Sequence, residues 1–117
     1  AACLTLLHRT HRPIWPWKDA HGMLVEAFPA AQLRAWNLPS ANYSEPEGKP
    51  LRAKIVATLE KNQHLDIEPG FRRTMLASPD ALDAVIAAFA ARAAANRQLK
   101  HERPASWRLE GAIAVHA

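Results

Sequence analysis

Apolar and polar residues alternate with a helical period in the middle of this chain. Leu51, Ile55 and Leu59 recur at four-residue intervals, and basic residues, Arg52 among them, occupy positions between them. This spacing places the apolar side chains on one face, so it predicts an amphipathic helix over residues 51–62 with a basic exposed side. The apolar start of the chain predicts a further helix over its first ten residues.

Capping residues predict two more helices. Pro29 precedes an alanine-rich stretch and suits the first turn of a helix, which predicts a short helix over residues 29–37. Ser78 is a preferred N-cap residue and Pro79 a preferred first residue, so together they predict a helix that runs to about Asn96.

Two short apolar runs predict β-strands. Residues 23–28 are dense in large apolar side chains and are bounded by Gly22 and Pro29, which is typical of a buried strand. Residues 107–116 predict a turn followed by a final strand. The predicted order of elements is helix, strand, helix, helix, helix, strand. Segments rich in proline, glycine or polar residues predict loops at 11–20, 38–50 and 63–77.

Composition narrows the class of protein. The chain has 15 Lys and Arg against 11 Asp and Glu, a net charge of +4 that permits an anionic partner such as nucleic acid. Its 117 residues suit a single domain, residues 1–117. Apolar runs fall far short of the roughly 20 residues that cross a bilayer, so no membrane partner is expected. The single Cys3 excludes an internal disulfide and agrees with a cytoplasmic location.

Glu26 lies in the middle of the predicted strand. Alternation along a strand places it on the same face as Leu24 and Phe28, so its carboxylate is expected among apolar side chains. A buried carboxylate costs several kcal/mol unless it is paired, protonated or bound to a cation. The structural alternative is an edge strand from which Glu26 reaches water or an arginine such as Arg34.

Asp80 and Asp83 stand three positions apart at the predicted start of a helix, which brings both carboxylates to one side. A divalent cation such as Mg²⁺ or Mn²⁺, which prefers oxygen ligands, would offset the repulsion between them. Helix capping is the alternative, because first-turn acids gain about 0.3–1 kcal/mol from the helix dipole. The residue types leave both alternatives open.

Three short motifs, Val25–Ala30, Ser78–Ala84 and Glu110–His116, share a pattern with a known family. Together they resemble the family called domain of unknown function 429, whose members are predicted RNase H-like nucleases. The resemblance spans roughly residues 13–117. The middle motif, with paired aspartates at an alanine- and leucine-rich helix start, is the most specific of the three.

The resemblance implies an RNase H-like α/β fold with a mixed central sheet flanked by helices. It also implies that Glu26, Asp80 and Asp83 are catalytic residues and metal ligands in a two-metal hydrolysis of phosphodiester bonds, with Mg²⁺ or Mn²⁺ as cofactor. Such folds carry a further aspartate on their first strand, whereas Asp19, the only acid before Glu26, stands in a turn-like context. The chain is therefore expected to be the C-terminal portion of such a domain, with the N-terminal half missing.

A non-enzymatic module that binds nucleic acid or protein is the alternative function. It would rely on basic residues that hold phosphates and on tryptophans that stack on bases. A truncated piece with an open sheet edge would also pair with a second copy and form a homo-oligomer. The basic residues and tryptophans concerned are Arg52, Lys54, Lys61, Arg72, Arg73, Trp15, Trp17 and Trp36.

Overall fold

The computed structural model describes residues 8–100 and 104–117. The predicted helix over the first ten residues lies mostly outside this part of the chain, in which His8 and Arg9 are helical. A 3₁₀ turn at Pro46–Gly48 comes directly before the helix that begins at Lys49. The α-helices are α1 Pro29–Ala35, α2 Lys49–Asn62, α3 Pro69–Ala77, α4 Pro79–Ala95 and α5 Trp107–Glu110.

Helices α1, α2 and α4 confirm the predictions from periodicity and capping. In α2, Ile55 and Leu59 are buried, as the apolar spacing predicts. At the start of α4, the backbone N–H of Ala81 donates a hydrogen bond to Ser78 Oγ over 3.2 Å. Ser78 is therefore the N-cap that the sequence predicts.

The sequence predicts a loop over residues 63–77, but residues 69–77 form helix α3, so the prediction is wrong there. Pro69 stands at the first position of the helix, where its missing N–H costs nothing. Met75 is buried, and Arg72 Nη2 lies 2.9 Å from Glu60 Oε1 on α2. Packing against α2 thus stabilises this helix.

The expected α/β fold with a mixed central sheet is wrong for the part of the chain that the structure describes. Helices hold 52% of these residues, and pairing between extended segments is limited to isolated bridges. Proline limits the pairing between residues 14–15 and residue 24, because Pro16 has no N–H to donate to a ladder. Trp15 N donates to Leu24 O over 2.9 Å, and the next residue is Pro16. The bridges are Ile14 to Leu24, Glu26 to Ile113 and Leu99 to His116.

The two predicted strands become short extended segments. Residues 23–28 contribute only the bridge positions Leu24 and Glu26, and Pro29 then begins α1. In the last segment, the first four residues of 107–116 form α5, and Gly111 follows with a φ of +82°. A single bridge on each side supplies too few hydrogen bonds to build a ladder, so no sheet forms among the described residues.

The chain divides into two compact units, which we describe separately. The central unit is Pro29–Ala88, and the terminal unit combines Ala1–Phe28 with Phe89–Ala117. Leu33, Ile55, Leu59, Leu82 and Ile86 are fully buried in the central unit. The terminal unit has a smaller core, with Trp15, Ala90, Ala112 and Ala114 buried and Met23, Val25, Ala27, Leu99 and Trp107 packed against them.

Among the described residues, we find no single helix that is both long and apolar enough to cross a membrane. Helices α3 and α4 meet that criterion only as a pair, and the pair is bent by 112°.

Candidate functional site

Asp80 and Asp83 lie on the first turns of α4, in the central unit. The sequence fixes this arrangement locally, because Ser78 caps the helix and Pro79 occupies its first position. Asp80 is exposed and Asp83 is half-buried. One helical turn separates the two carboxylates, as the spacing predicts.

Tyr43 holds the Asp83 carboxylate. Its hydroxyl donates a hydrogen bond of 2.8 Å to Asp83 Oδ1, and the tyrosine itself is buried. Burial, this hydrogen bond and the negative charge of Asp83 raise the pKa of Tyr43 well above its ordinary value. The phenol therefore remains a hydrogen-bond donor to Asp83 at neutral pH, and it orients the Oδ1 end of that carboxylate.

Arg52 fixes the segment that carries Tyr43. The sequence places Arg52 on the basic exposed side of α2, but the residue is only 4% exposed, so that prediction is wrong. Its Nη1 donates to the carbonyl oxygen of Tyr43 over 2.7 Å and to that of Glu45 over 3.0 Å, and its Nε donates to Leu76 O over 2.8 Å. These bonds tie the 43–45 segment and the end of α3 to α2. They therefore set the position from which Tyr43 reaches Asp83.

Glu26 lies in the terminal unit and is exposed, so the predicted burial of its carboxylate is wrong. Its backbone carbonyl accepts a hydrogen bond of 2.8 Å from Ala114 N. Alternation explains the exposure: Val25 and Ala27 pack on the terminal core, so the face of Glu26 points away from it. An exposed carboxylate has no desolvation cost to offset. The structure therefore agrees with the alternative in which the Glu26 side chain reaches water.

The acids of the central unit suit a cation with few protein ligands. Within the described residues of either unit, no group of three or more His, Cys, Asp and Glu side chains is arranged for a metal ion. Mg²⁺ usually keeps several waters and takes one or two carboxylates. Asp80 and Asp83 supply two carboxylates on one helix turn, which is compatible with such a ligand set.

Sequence reasoning missed Tyr43 and misplaced Arg52. One signal for Tyr43 was available: it is the only tyrosine of the chain and stands in an otherwise polar loop, where a large aromatic side chain is typical of an anchor. No sequence signal distinguished Arg52 from its exposed neighbour Lys54. Its burial depends on the 43–45 segment folding back over α2.

A comparison with protein-family models gives one match, to the family described as "Protein of unknown function (DUF429)", over residues 4–105. The match includes the motifs Val25–Ala30 and Ser78–Ala84 and therefore all three candidate acids, whereas Glu110–His116 lies beyond its end. Neither the curated proteins nor the solved structures gave a match. Because the family model covers most of the chain, this protein belongs to the DUF429 family.

Proposed function

We propose that this chain takes part in metal-dependent hydrolysis of phosphodiester bonds in nucleic acid. In this proposal Asp80 and Asp83 hold Mg²⁺ or Mn²⁺, and Glu26, which lies in the terminal unit, keeps the catalytic role that the family resemblance implies. The proposal rests on one observation: the exposed Asp80 and the half-buried Asp83 share the start of α4, and Tyr43 donates a hydrogen bond to Asp83. The family resemblance implies a role for the same three acids, all of which lie within the matched residues 4–105.

In this proposal Asp80, Asp83 and Tyr43 have different roles. Asp80 and Asp83 provide anionic oxygen ligands, and Tyr43 keeps Asp83 in one orientation by bonding to Oδ1. When bound, a divalent cation stabilises the negative charge that develops on phosphate oxygens during hydrolysis. Asp80 has a structural role as well, because its charge interacts favourably with the N-terminus of α4.

Cation binding is the first test, and free Mn²⁺ measured by electron paramagnetic resonance gives it directly. We expect saturable binding to the 117-residue chain and about tenfold weaker binding in Asp83→Asn. Glu47→Gln is the matched control, since it removes one exposed negative charge from the same unit and should bind as the unchanged chain does. Equal affinity of Asp83→Asn and the unchanged chain would rule out the assigned ligands.

Hydrolysis is the second test. Labelled single-stranded and duplex oligonucleotides are incubated with Mn²⁺ and the longest natural form of the protein that contains these residues, either unchanged or carrying Glu26→Gln or Asp80→Asn, and EDTA provides the metal-free control. We expect cleavage by the unchanged chain only, and its loss in EDTA. Equal cleavage by all three proteins, or none by any of them, contradicts the proposed function.

A further inference from the structure

The net positive charge of the chain belongs to one unit. By sequence, residues 1–28 and 89–117 hold eight Lys and Arg against four Asp and Glu, whereas residues 29–88 hold seven of each. The entire surplus of four charges therefore belongs to the terminal unit, and the central unit, which carries Asp80 and Asp83, is balanced. Such a separation raises the local concentration of anionic polymers at one unit only.

Trp17 and Phe28 are large aromatic side chains of this basic unit that are exposed, and Trp17 is the one that can also form hydrogen bonds through an indole N–H. It is 48% exposed, yet its indole is fixed at one edge, since Nε1 donates to the carbonyl oxygen of Arg108 over 2.7 Å. A Cβ atom added to Gly111 would lie 2.7 Å from Cη2 of the same ring, which shows how closely the glycine backbone approaches it. A ring held in this way offers a fixed surface for stacking at little entropic cost.

Three cationic side chains accompany Trp17. Lys18 is adjacent and exposed, and Arg108 is exposed, with its guanidinium carbon 5.3 Å from the centroid of the Trp107 ring. The Arg97 side chain is 82% exposed, and its Nη1 lies 3.9 Å from Asp19 Oδ2. Asp19 therefore offsets part of the Arg97 charge. We call Trp17, Lys18, Arg97 and Arg108 the Trp17 surface.

We infer that the Trp17 surface binds single-stranded nucleic acid, with a base stacked on the Trp17 indole and backbone phosphates paired with the three cations. Stacking requires an unpaired base, because bases inside a duplex are already stacked on their neighbours. The inference goes beyond the proposed hydrolysis: it needs no divalent cation, and the surface belongs to the terminal unit, whereas Asp80 and Asp83 belong to the central unit.

Binding is measured with the full 117-residue chain in EDTA, so that its outcome is independent of the proposed metal site. The probe is a fluorescently labelled oligo-dT strand, followed by anisotropy over a range of salt concentrations. Three phosphate contacts predict a slope of log affinity against log salt of about −2. A duplex of the same length should bind more weakly, because it offers no base to Trp17.

Variants separate stacking from charge. Trp17→Leu should weaken oligo-dT binding about tenfold and leave heparin, a polyanion without bases, nearly unaffected. Arg108→Gln should weaken binding about threefold and make the salt slope shallower by about 0.7. Asp19→Asn should tighten binding about threefold, because it removes the acid that competes with phosphate for Arg97.

Two matched controls make the inference refutable even where Trp17→Leu unfolds. Lys54→Gln removes an exposed positive charge from the central unit, and Leu109→Ser removes an apolar side chain, 89% exposed, that stands next to Arg108. Both should leave the affinity within about twofold. Three outcomes would each overturn the inference. Lys54→Gln could lower the affinity for oligo-dT as much as Arg108→Gln does, or Leu109→Ser as much as Trp17→Leu does. The third is an equal affinity for duplex and single strand.

Discussion

Arg52 is the residue on which the geometry around Asp83 depends. Its guanidinium is only 4% exposed, and an apolar side chain of similar length would remove the donor from the carbonyl oxygens of Tyr43 and Leu76. The Glu45 carbonyl oxygen, its third acceptor, also accepts from Gly48 N. We expect Arg52→Met to lower the free energy of unfolding by about 3 kcal/mol, measured by urea denaturation. The same change at its exposed neighbour on α2, Lys54→Met, should cost less than about 0.5 kcal/mol. Equal effects of the two substitutions would show that the Arg52 hydrogen bonds contribute nothing.

Tyr43 makes stability depend on pH in the alkaline range. Its folded-state pKa lies above the ordinary value of 10.0, so the unfolded chain loses the phenolic proton first as pH rises. The stabilisation is complete below pH 10 and declines above it. We expect the urea midpoint to fall above about pH 10 more steeply in the unchanged chain than in Tyr43→Phe. Parallel curves for the two proteins would contradict this origin of the raised pKa.

The same tyrosine reports on Asp83 directly, because it is the only one in the chain. Two of the three causes of its raised pKa are the hydrogen bond to Asp83 and the charge of Asp83, while burial is the largest. Asp83→Asn should therefore lower the pKa of Tyr43 and still leave it above 10.0, as followed by phenolate absorbance. An unchanged pKa in Asp83→Asn would show that the hydrogen bond does not form in solution.

At the scale of elements, capping at the start of α4 gives a prediction that is independent of any metal. Ser78 Oγ accepts a hydrogen bond from Ala81 N, one of the N–H groups that a helix start leaves without a partner. Ser78→Ala should cost about 1 kcal/mol of stability by thermal or urea unfolding. Ser44→Ala, at an exposed turn position of the same unit, is the control and should change stability little. A loss in Ser44→Ala as large as that in Ser78→Ala would contradict the capping role.

The sequence predicts those elements whose signal is local. Helices α1, α2 and α4 follow from proline and serine at their starts and from apolar spacing, and the pairing of Asp80 with Asp83 on one turn follows with them. Helix α3 and the extended segments depend on packing instead: Met75 on α3 is buried, and residues 23–28 pair through single bridges rather than a ladder. Tyr43 and Arg52 meet only through the fold of the 43–45 segment, so periodicity carries no signal for them.

At the scale of the whole molecule, charge and acids are distributed unevenly between the two units. The terminal unit carries the net positive charge together with Glu26, and the central unit carries Asp80 and Asp83. The proposed hydrolysis and the proposed strand binding can therefore fail separately. A chain that binds oligo-dT in EDTA but no Mn²⁺ would be a binding module, and a chain that binds Mn²⁺ but no oligo-dT would retain only the metal site.

A further prediction is that the two units unfold in a single cooperative transition. Helix α4 runs without a break from Pro79 to Ala95 and so contributes residues to both units. Because chains of this size usually unfold in one transition, we expect Tyr43 absorbance, from the central unit, and tryptophan fluorescence to report the same urea midpoint. Three of the four tryptophans, Trp15, Trp17 and Trp107, lie in the terminal unit. Gly48→Ala tests this expectation, since a Cβ at Gly48 would clash with the carbonyl oxygens of Asn42 and Tyr43.

Gly48→Ala should destabilise the chain by about 2 kcal/mol, because backbone atoms must move to accept the methyl group, and both signals should shift together. Gly70→Ala is the matched control. It lies in α3, where the nearest atom to an added Cβ is Arg73 Nη2 at 3.9 Å, so it should leave stability unchanged or raise it by up to about 1 kcal/mol. A shift of the Tyr43 signal alone in Gly48→Ala would show that the central unit unfolds independently, despite the continuity of α4.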